Sequence, residues 1–163
     1  MFREMRRIKQ VMSQKDSIEV LKRCTAGVLA ASGDDDYPYA VPLSYVYDDG
    51  KIYFHTAVSG HKMDAIARQE KVSFCVIDED QIVPEEFTTY FRSVIVFGKA
   101  RVLSDEEKTA ALVKLCAKYS PDEQPEHVDG EIKKSFNSVA VVEITIDHLS
   151  GKEAIEFVKA KNA

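Results

Sequence analysis

Ile52-Tyr53-Phe54-His55-Thr56-Ala57-Val58-Ser59-Gly60-His61-Lys62-Met63-Asp64-Ala65-Ile66 changes its period half-way along, and the rest of the chain is organised around that change. Ile52, Phe54 and Thr56 alternate with Tyr53 and His55, which predicts a strand with the first three on one face. Met63, Ile66 and Ala67 then recur at helical spacing, and Asp64 stands four residues before Arg68. Between the two, Ser59 and Gly60 offer a cap and a small residue that lets a backbone approach a ligand. Free N–H groups and partial positive charge make a helix start suited to an anion. His61 and Lys62 put further positive charge there, against the macrodipole, which points to a phosphate. The plain alternative is a solvated lysine beside a surface histidine. The stretch is not a Walker loop: no second glycine precedes Gly60 at that loop's spacing, and Met63 stands where Ser or Thr would hold magnesium.

Upstream, Tyr39, Val41, Leu43, Tyr45 and Tyr47 alternate along a second strand. Pro42 cannot donate to a ladder, so that strand is broken, bulged or at an edge there, freeing neighbouring backbone for a ligand. Asp49-Gly50 closes a hairpin between the two strands. Ser13 and Asp16 open a short helix ending near Cys24, and Ala26 to Ala31 follows as a strand of small residues. Asp34, Asp35 and Asp36 read as a solvated turn, not a calcium site. Arg3, Arg6, Arg7 and Lys9 suggest a solvated basic helix face.

Downstream, Val72 to Ile77 predicts a buried strand, Asp78 to Phe87 an acidic loop, and Tyr90 to Val102 the longest strand, with a bend at Gly98. Val94 to Phe97 are apolar on both faces, which calls for cover on each side and suggests a second subunit. Ser104-Asp105-Glu106-Glu107 is a capping box for a helix facing inward through Leu112, Leu115, Cys116 and Tyr119. A helical turn over Gly130–Phe136, a strand over Ser138–Ile146 and a weakly helical tail over Gly151–Ala163 complete the chain. Short sequential strands with a few helices predict a mainly β fold: a small antiparallel barrel flanked by helices.

The 163 residues suit one domain spanning 1–163, with an ordinary 45% hydrophobic and 30% charged content. A net charge of −5 argues against nucleic-acid binding, and no apolar run reaches bilayer length. Cys24, Cys75 and Cys116 are odd in number, widely spaced and set among apolar residues, so buried free thiols in a reducing cytoplasm are expected. They form no zinc pattern with His55, His61, His127 and His148, so no metal is expected.

In order along the chain, six segments resemble the pyridoxamine 5'-phosphate oxidase-like split barrels that bind FMN, and within them the nitroimidazole-resistance flavoproteins. They are Ala26–Ala30, Pro38–Tyr45, Tyr53–Ala57 with Gly60–Ile66, Val72–Phe74, Ser93–Ala100 and Ser150–Glu153. The resemblance implies an antiparallel split β-barrel and FMN at the interface of a homodimer. It implies that Val41, Pro42, Leu43, Ser44 and Tyr45 face the isoalloxazine through backbone and small side chains. Phe54, His55 and Thr56 would border the ring and ribityl chain, and Gly60, His61 and Lys62 would take the phosphate. Arg92 and Ser93 are looser candidates that would reach the partner's flavin. The vitamin B6 oxidases proper end in a segment carrying arginine and histidine and finish near a proline. This chain ends Ala160-Lys161-Asn162-Ala163 and has no tryptophan, so vitamin B6 oxidation does not follow.

The leading expectation is an FMN-dependent oxidoreductase acting on a small electrophile such as a nitroaromatic, with FAD as the alternative flavin. The cofactor carries the redox chemistry and the protein supplies orientation and electrostatics. His55 is the candidate catalytic residue, a proton donor or orienter of substrate; the other reading makes it a structural histidine. A non-enzymatic flavin or haem binder, with His55 as axial ligand, is the second expectation. A dimeric scaffold without cofactor is the third.

Overall fold

The structure is a computed structural model that describes residues 1–161. Asn162 and Ala163, the end of the expected helical tail, lie outside the described residues. Seven strands form one sheet: β1 (Ala26–Ser32), β2 (Pro38–Ser44), β3 (Val46–Asp48), β4 (Lys51–Ala57), β5 (Lys71–Val83), β6 (Thr88–Val102) and β7 (Val139–Glu153). Among the described residues, five α-helices flank it: α1 (Gln14–Arg23), α2 (His61–Arg68), α3 (Asp105–Tyr119), α4 (Pro125–Ser135) and α5 (Ile155–Lys161).

Every strand pairing is antiparallel, and the spatial order is β2-β1-β5-β6-β7-β4-β3. The two ends of that order, β2 and β3, are joined in the chain by Tyr45 alone. The sheet therefore curls until its edges meet at one residue without a ladder between them. This is a split barrel.

Alternation decides what fills it. Ile52 and Phe54 of β4 point inward and are fully buried with Val142 and Ile144 of β7, Val94 and Val96 of β6, and Phe74 and Val76 of β5. Burying each such side chain contributes about 1.5–3 kcal/mol. Helix α1 closes one side of this core with Val20 and Leu21, its start capped by the Ser13 hydroxyl accepting from Asp16 N–H at 3.0 Å. Helix α2 adds Ala65 and Ile66. On the outer face of β4 and β7, Tyr53 and Val141 form a second core with Leu112 and Leu115 of α3 and Ile132 of α4. The capping box of Ser104 and Glu107 starts α3 as expected.

The hairpin from β3 to β4 turns at Asp49 (φ 43°) and Gly50 (φ 76°), the left-handed pair that suits the twist of a two-residue turn. Gly98 marks the bend in β6, where the register against β7 shifts. A Cβ there would come within 2.3 Å of the Thr145 carbonyl oxygen, so only glycine lets the strands approach.

Five expectations are corrected. Asp78–Val83 is not a loop: it continues β5 past a bulge between Ile77 and Glu79 and pairs with Thr88–Arg92. A projecting ribbon exposed to water tolerates acids along a strand, so composition misled. Helix α4 begins at Pro125 rather than Gly130, because proline suits the first helical turn as well as a loop. Strand β7 runs on to Glu153, taking the start of the expected tail helix. The basic N-terminus forms no α-helix, only a single 3-10 turn at Ile8–Gln10. The three cysteines are free and part-buried rather than sealed. No helix among the described residues is long and apolar enough to cross a membrane.

Candidate functional site

The split leaves backbone unpaired on both sides. Strand β4 pairs with β7 along its whole length, but β3 covers only Lys51 to Tyr53 on the other side. Phe54 to Ala57 thus keep a free edge, and β2, paired only with β1, keeps another. Pro42 sits on that β2 edge, where its missing N–H costs nothing. The break in the strand falls three residues later, at Tyr45.

Helix α2 starts at the end of β4, after Gly60 turns the chain with φ 124°. No side chain caps that start, so its first N–H groups are available. Lys62 is part-buried, and its Nζ donates to Thr56 Oγ1 at 3.3 Å and lies 5.7 Å from the centroid of the Phe54 ring. Burial lowers its pKa, and no carboxylate pairs with it among the described residues. His61 is different: its ring stacks on Tyr39 at 4.0 Å, and its Nε2 lies 3.7 Å from Asp34, which also binds Arg68 at 2.8 Å. Lys62 is therefore the cation at this end with no acid assigned to it.

The other expected site residues divide between the faces of the sheet. Val41 and Leu43 point inward and pack on the barrel core, while Pro42 and Ser44 point outward and are exposed. Tyr45 is fully buried, and its hydroxyl donates to the Leu21 carbonyl at 2.8 Å. Phe54 is sealed in the core and presents only its backbone edge. Thr56 lies on the same inner face beside Lys62. His55 projects from the outer face, exposed, into a cavity of about 440 Å³ beneath α3 and α4.

Arg92 and Ser93 are not brought to the split. They lie on β6, mid-sheet, with Arg92 bonded to Asp78 at 2.9 Å and Glu153 at 3.3 Å. Asp78 in turn holds Arg23 at 2.5 Å. Burial pushes the Asp78 carboxyl up, but hydrogen bonds from Arg23 and Arg92 outweigh it and hold the pKa at about 2. Among the described residues, no three His, Cys, Asp or Glu side chains could hold a metal ion.

Two residues at the end of α3 do more than the sequence showed, where Tyr119 was legible only as part of an inward helix face. The Tyr119 hydroxyl accepts from Tyr45 N–H at 2.8 Å and faces the carbonyls of Tyr45 at 2.7 Å and Thr25 at 2.5 Å. The Lys118 ammonium donates to the Cys24 carbonyl at 2.5 Å and lies 4.3 Å from the centroid of the Tyr45 ring. Together they pin the crossover that sets the narrow end of the split. The even spacing of Leu112, Leu115, Cys116 and Tyr119 marked an inward face, but nothing in it marked a clamp.

With this geometry in place, residues 13–153 match the family described as pyridoxamine 5'-phosphate oxidase. The chain belongs to this family. No curated protein matches the sequence. Among solved structures, the chain is similar to a conserved hypothetical protein from Mycobacterium tuberculosis, with a TM-score of 0.79 and 22% identity over 92% of this chain and 90% of that one. It is similar to a candidate 5-nitroimidazole antibiotic resistance protein from Bacteroides thetaiotaomicron VPI-5482, with a TM-score of 0.72 and 21% identity over 88% and 86%. An FAD-binding protein from Mesorhizobium loti gives a TM-score of 0.62 and 25% identity over 89% of this chain and 97% of that one. The family's split barrel is thus shared across chains that keep about a fifth to a quarter of their residues in common with this one.

Proposed function

We propose that this chain binds a flavin by its phosphate and serves as an oxidoreductase for a small electrophile. The observation that carries the reading is Lys62, a part-buried cation with no carboxylate partner, set beside Thr56 at an uncapped helix start. Keeping such a charge out of water is unfavourable unless an anion arrives. A phosphate there would meet the Lys62 ammonium, the Thr56 hydroxyl and the first N–H groups of α2. The free edges of β2 and β4 offer unpaired backbone groups to a flat polar ring. The single helix start that carries Lys62 offers one phosphate site, which favours FMN over FAD. The FAD-binding relative from M. loti, at 25% identity, supports a flavin in the broader sense.

A bound flavin supplies the electrons; the residues of this chain orient, exclude water and move a proton. His55 projects beside the free edge of β4, and in this reading its imidazole gives a proton to the reduced substrate. In this reading the working unit is a homodimer. The outer sheet face carries a row of paired residues, Pro42, Val28, Cys75 and Ile95, with Phe97 one pair further along, and Ile95 and Phe97 are 42% and 40% exposed. A second copy would cover them.

The test is the visible spectrum of freshly purified protein, with the released cofactor identified by mass. Flavin bands in the blue and a mass matching FMN are expected. A Soret band without flavin bands, or no retention after reconstitution with FMN or FAD, overturns the reading. Given bound flavin, His55→Ala should slow substrate reduction about 100-fold with flavin still held. Flavin loss at unchanged turnover per bound flavin would make His55 structural. Sedimentation of a flavin-loaded monomer would remove the dimer.

A further inference from the structure

The second core stops short. Helices α3 and α4 seal Tyr53 and Val141 on the outer face of the sheet, yet at His55 and Val139, on that same face, they leave a cavity of about 440 Å³. That volume is in the range of small-molecule sites, which are mostly apolar with a few polar groups to set orientation. Its walls have that character. Leu112, Leu115 and Cys116 come from α3, Ile132 from α4 and Val139 from β7, while His55 and Ser44 bring an imidazole and a hydroxyl. Ser44 ends β2 and His55 lies on the free part of β4, so the cavity opens beside the split rather than apart from it.

Charge decides what kind of molecule fits. Glu131 is the one acidic side chain in the lining; it is exposed and its carboxylate lies 3.3 Å from the Lys134 ammonium, and neither lysine nor arginine is among the lining residues. An anion entering would lose water and find no lysine or arginine in the lining to replace it. The unpaired cation of the site, Lys62, bonds Thr56 on the opposite, inner face of β4. Phosphate recognition and this cavity are therefore separated by the thickness of one strand.

We infer that the cavity between α3, α4 and β4 is a binding site for a neutral, largely apolar small molecule, held with its polar group toward His55. Assigning that molecule as the substrate rests on the flavin reading above; the preference for neutral over phosphorylated or carboxylated compounds does not. A phosphorylated vitamin B6 form is the wrong ligand for it, although the chain belongs to the family described by that name.

The experiment uses flavin-loaded protein with labelled methyl groups, titrated with nitrobenzene and, separately, with 4-nitrobenzoate, which adds an anionic carboxylate to the same ring, with neutral 4-nitrobenzamide as the control for size. Nitrobenzene should shift the methyl signals of Leu112, Leu115, Ile132 and Val139 saturably, and 4-nitrobenzoate should bind at least about tenfold more weakly. Cys116→Trp, which fills the cavity, should abolish the nitrobenzene shifts, and Glu131→Gln should narrow the gap between the two compounds. Equal binding of both compounds, or shifts spread over the surface without saturation, overturns the inference. So do cavity methyls that respond to flavin addition but not to nitrobenzene, since the cofactor would then own the space. Flavin content is read from absorbance on the same samples. Saturable shifts in a protein that holds no flavin would support the cavity while sinking the cofactor reading.

Discussion

Lys62 and Arg92 are both part-buried cations over an aromatic ring, and they stand in opposite electrostatic surroundings. Arg92 lies 4.6 Å from the centroid of the Phe157 ring and is bound by Asp78 and Glu153, with Arg23 sharing the same aspartate. Lys62 has the Phe54 ring and one threonine hydroxyl. The first region is complete within the chain, and its charges hold the β5–β6 ribbon to α1 and β7. The second is left with a positive charge to spare. Arg92 has its acids within the chain, whereas among the described residues Lys62 has neither an acid nor, unlike Lys118, a backbone carbonyl to hold it.

The sharpest way to break this contrast is to remove the shared acid. Asp78→Ala leaves Arg23 and Arg92 facing each other without their carboxylate, and should destabilise the protein by about 3–5 kcal/mol in denaturant unfolding. Flavin affinity per folded molecule should hardly change. The pH dependence has a definite sign. With its folded pKa depressed to about 2, Asp78 contributes stability above its ordinary value near 3.8 and loses it as pH falls through about 2. Asp78→Asn should flatten that acid limb, and an unaltered limb would show that other carboxylates govern it.

Lys62→Ala should do the reverse. Stability should stay level, since a desolvated charge is removed, while flavin affinity falls by about 1.5–3 kcal/mol, or roughly 10- to 150-fold. Equal affinity in the variant would return Lys62 to the class of solvated lysines.

Tyr119→Phe probes the narrow end of the split. It strips the acceptor from Tyr45 N–H, and should cost about 1–2 kcal/mol. If the crossover sets the site, flavin should also dissociate faster than from wild type; faster unfolding at constant flavin off-rate would confine Tyr119 to stability.

The smallest effect expected is that of Arg23→Ala, because Arg23 is half-exposed and Arg92 remains on Asp78. A loss below about 1 kcal/mol would fit a surface pair. A loss as large as that of Asp78→Ala would mean that Arg23, not Arg92, is the partner that matters.

How far the sequence could be read follows the same division. The alternation from Ile52 to Thr56 was legible because its two faces meet different layers, a sealed barrel and a helix-covered flank. The start of α3 was legible because Ser104 and Glu107 are local to each other. The side chains of Phe54 and Tyr45 fill the core, which the sequence did not show, since periodicity gives a face but not which face is filled. The ribbon at Asp78–Val83 was unreadable because acids and a following proline look alike in a loop and in an exposed strand. The Tyr119 clamp depends on a residue 74 positions away, which no window of sequence joins.

The register of β4 has a consequence in time as well as in space. Its only full-length neighbour is β7, where Lys51 to Ala57 meet Val139 to Thr145. During synthesis, the strand that borders the split has only the short β3 hairpin beside it until almost the whole chain has emerged. Loop closure over such a separation is slow, so contacts of this kind form late. The topology thus predicts that the hairpin carrying His55 stays half-paired until β7 joins it, so that protection of the β4 amides from hydrogen exchange should appear late in refolding.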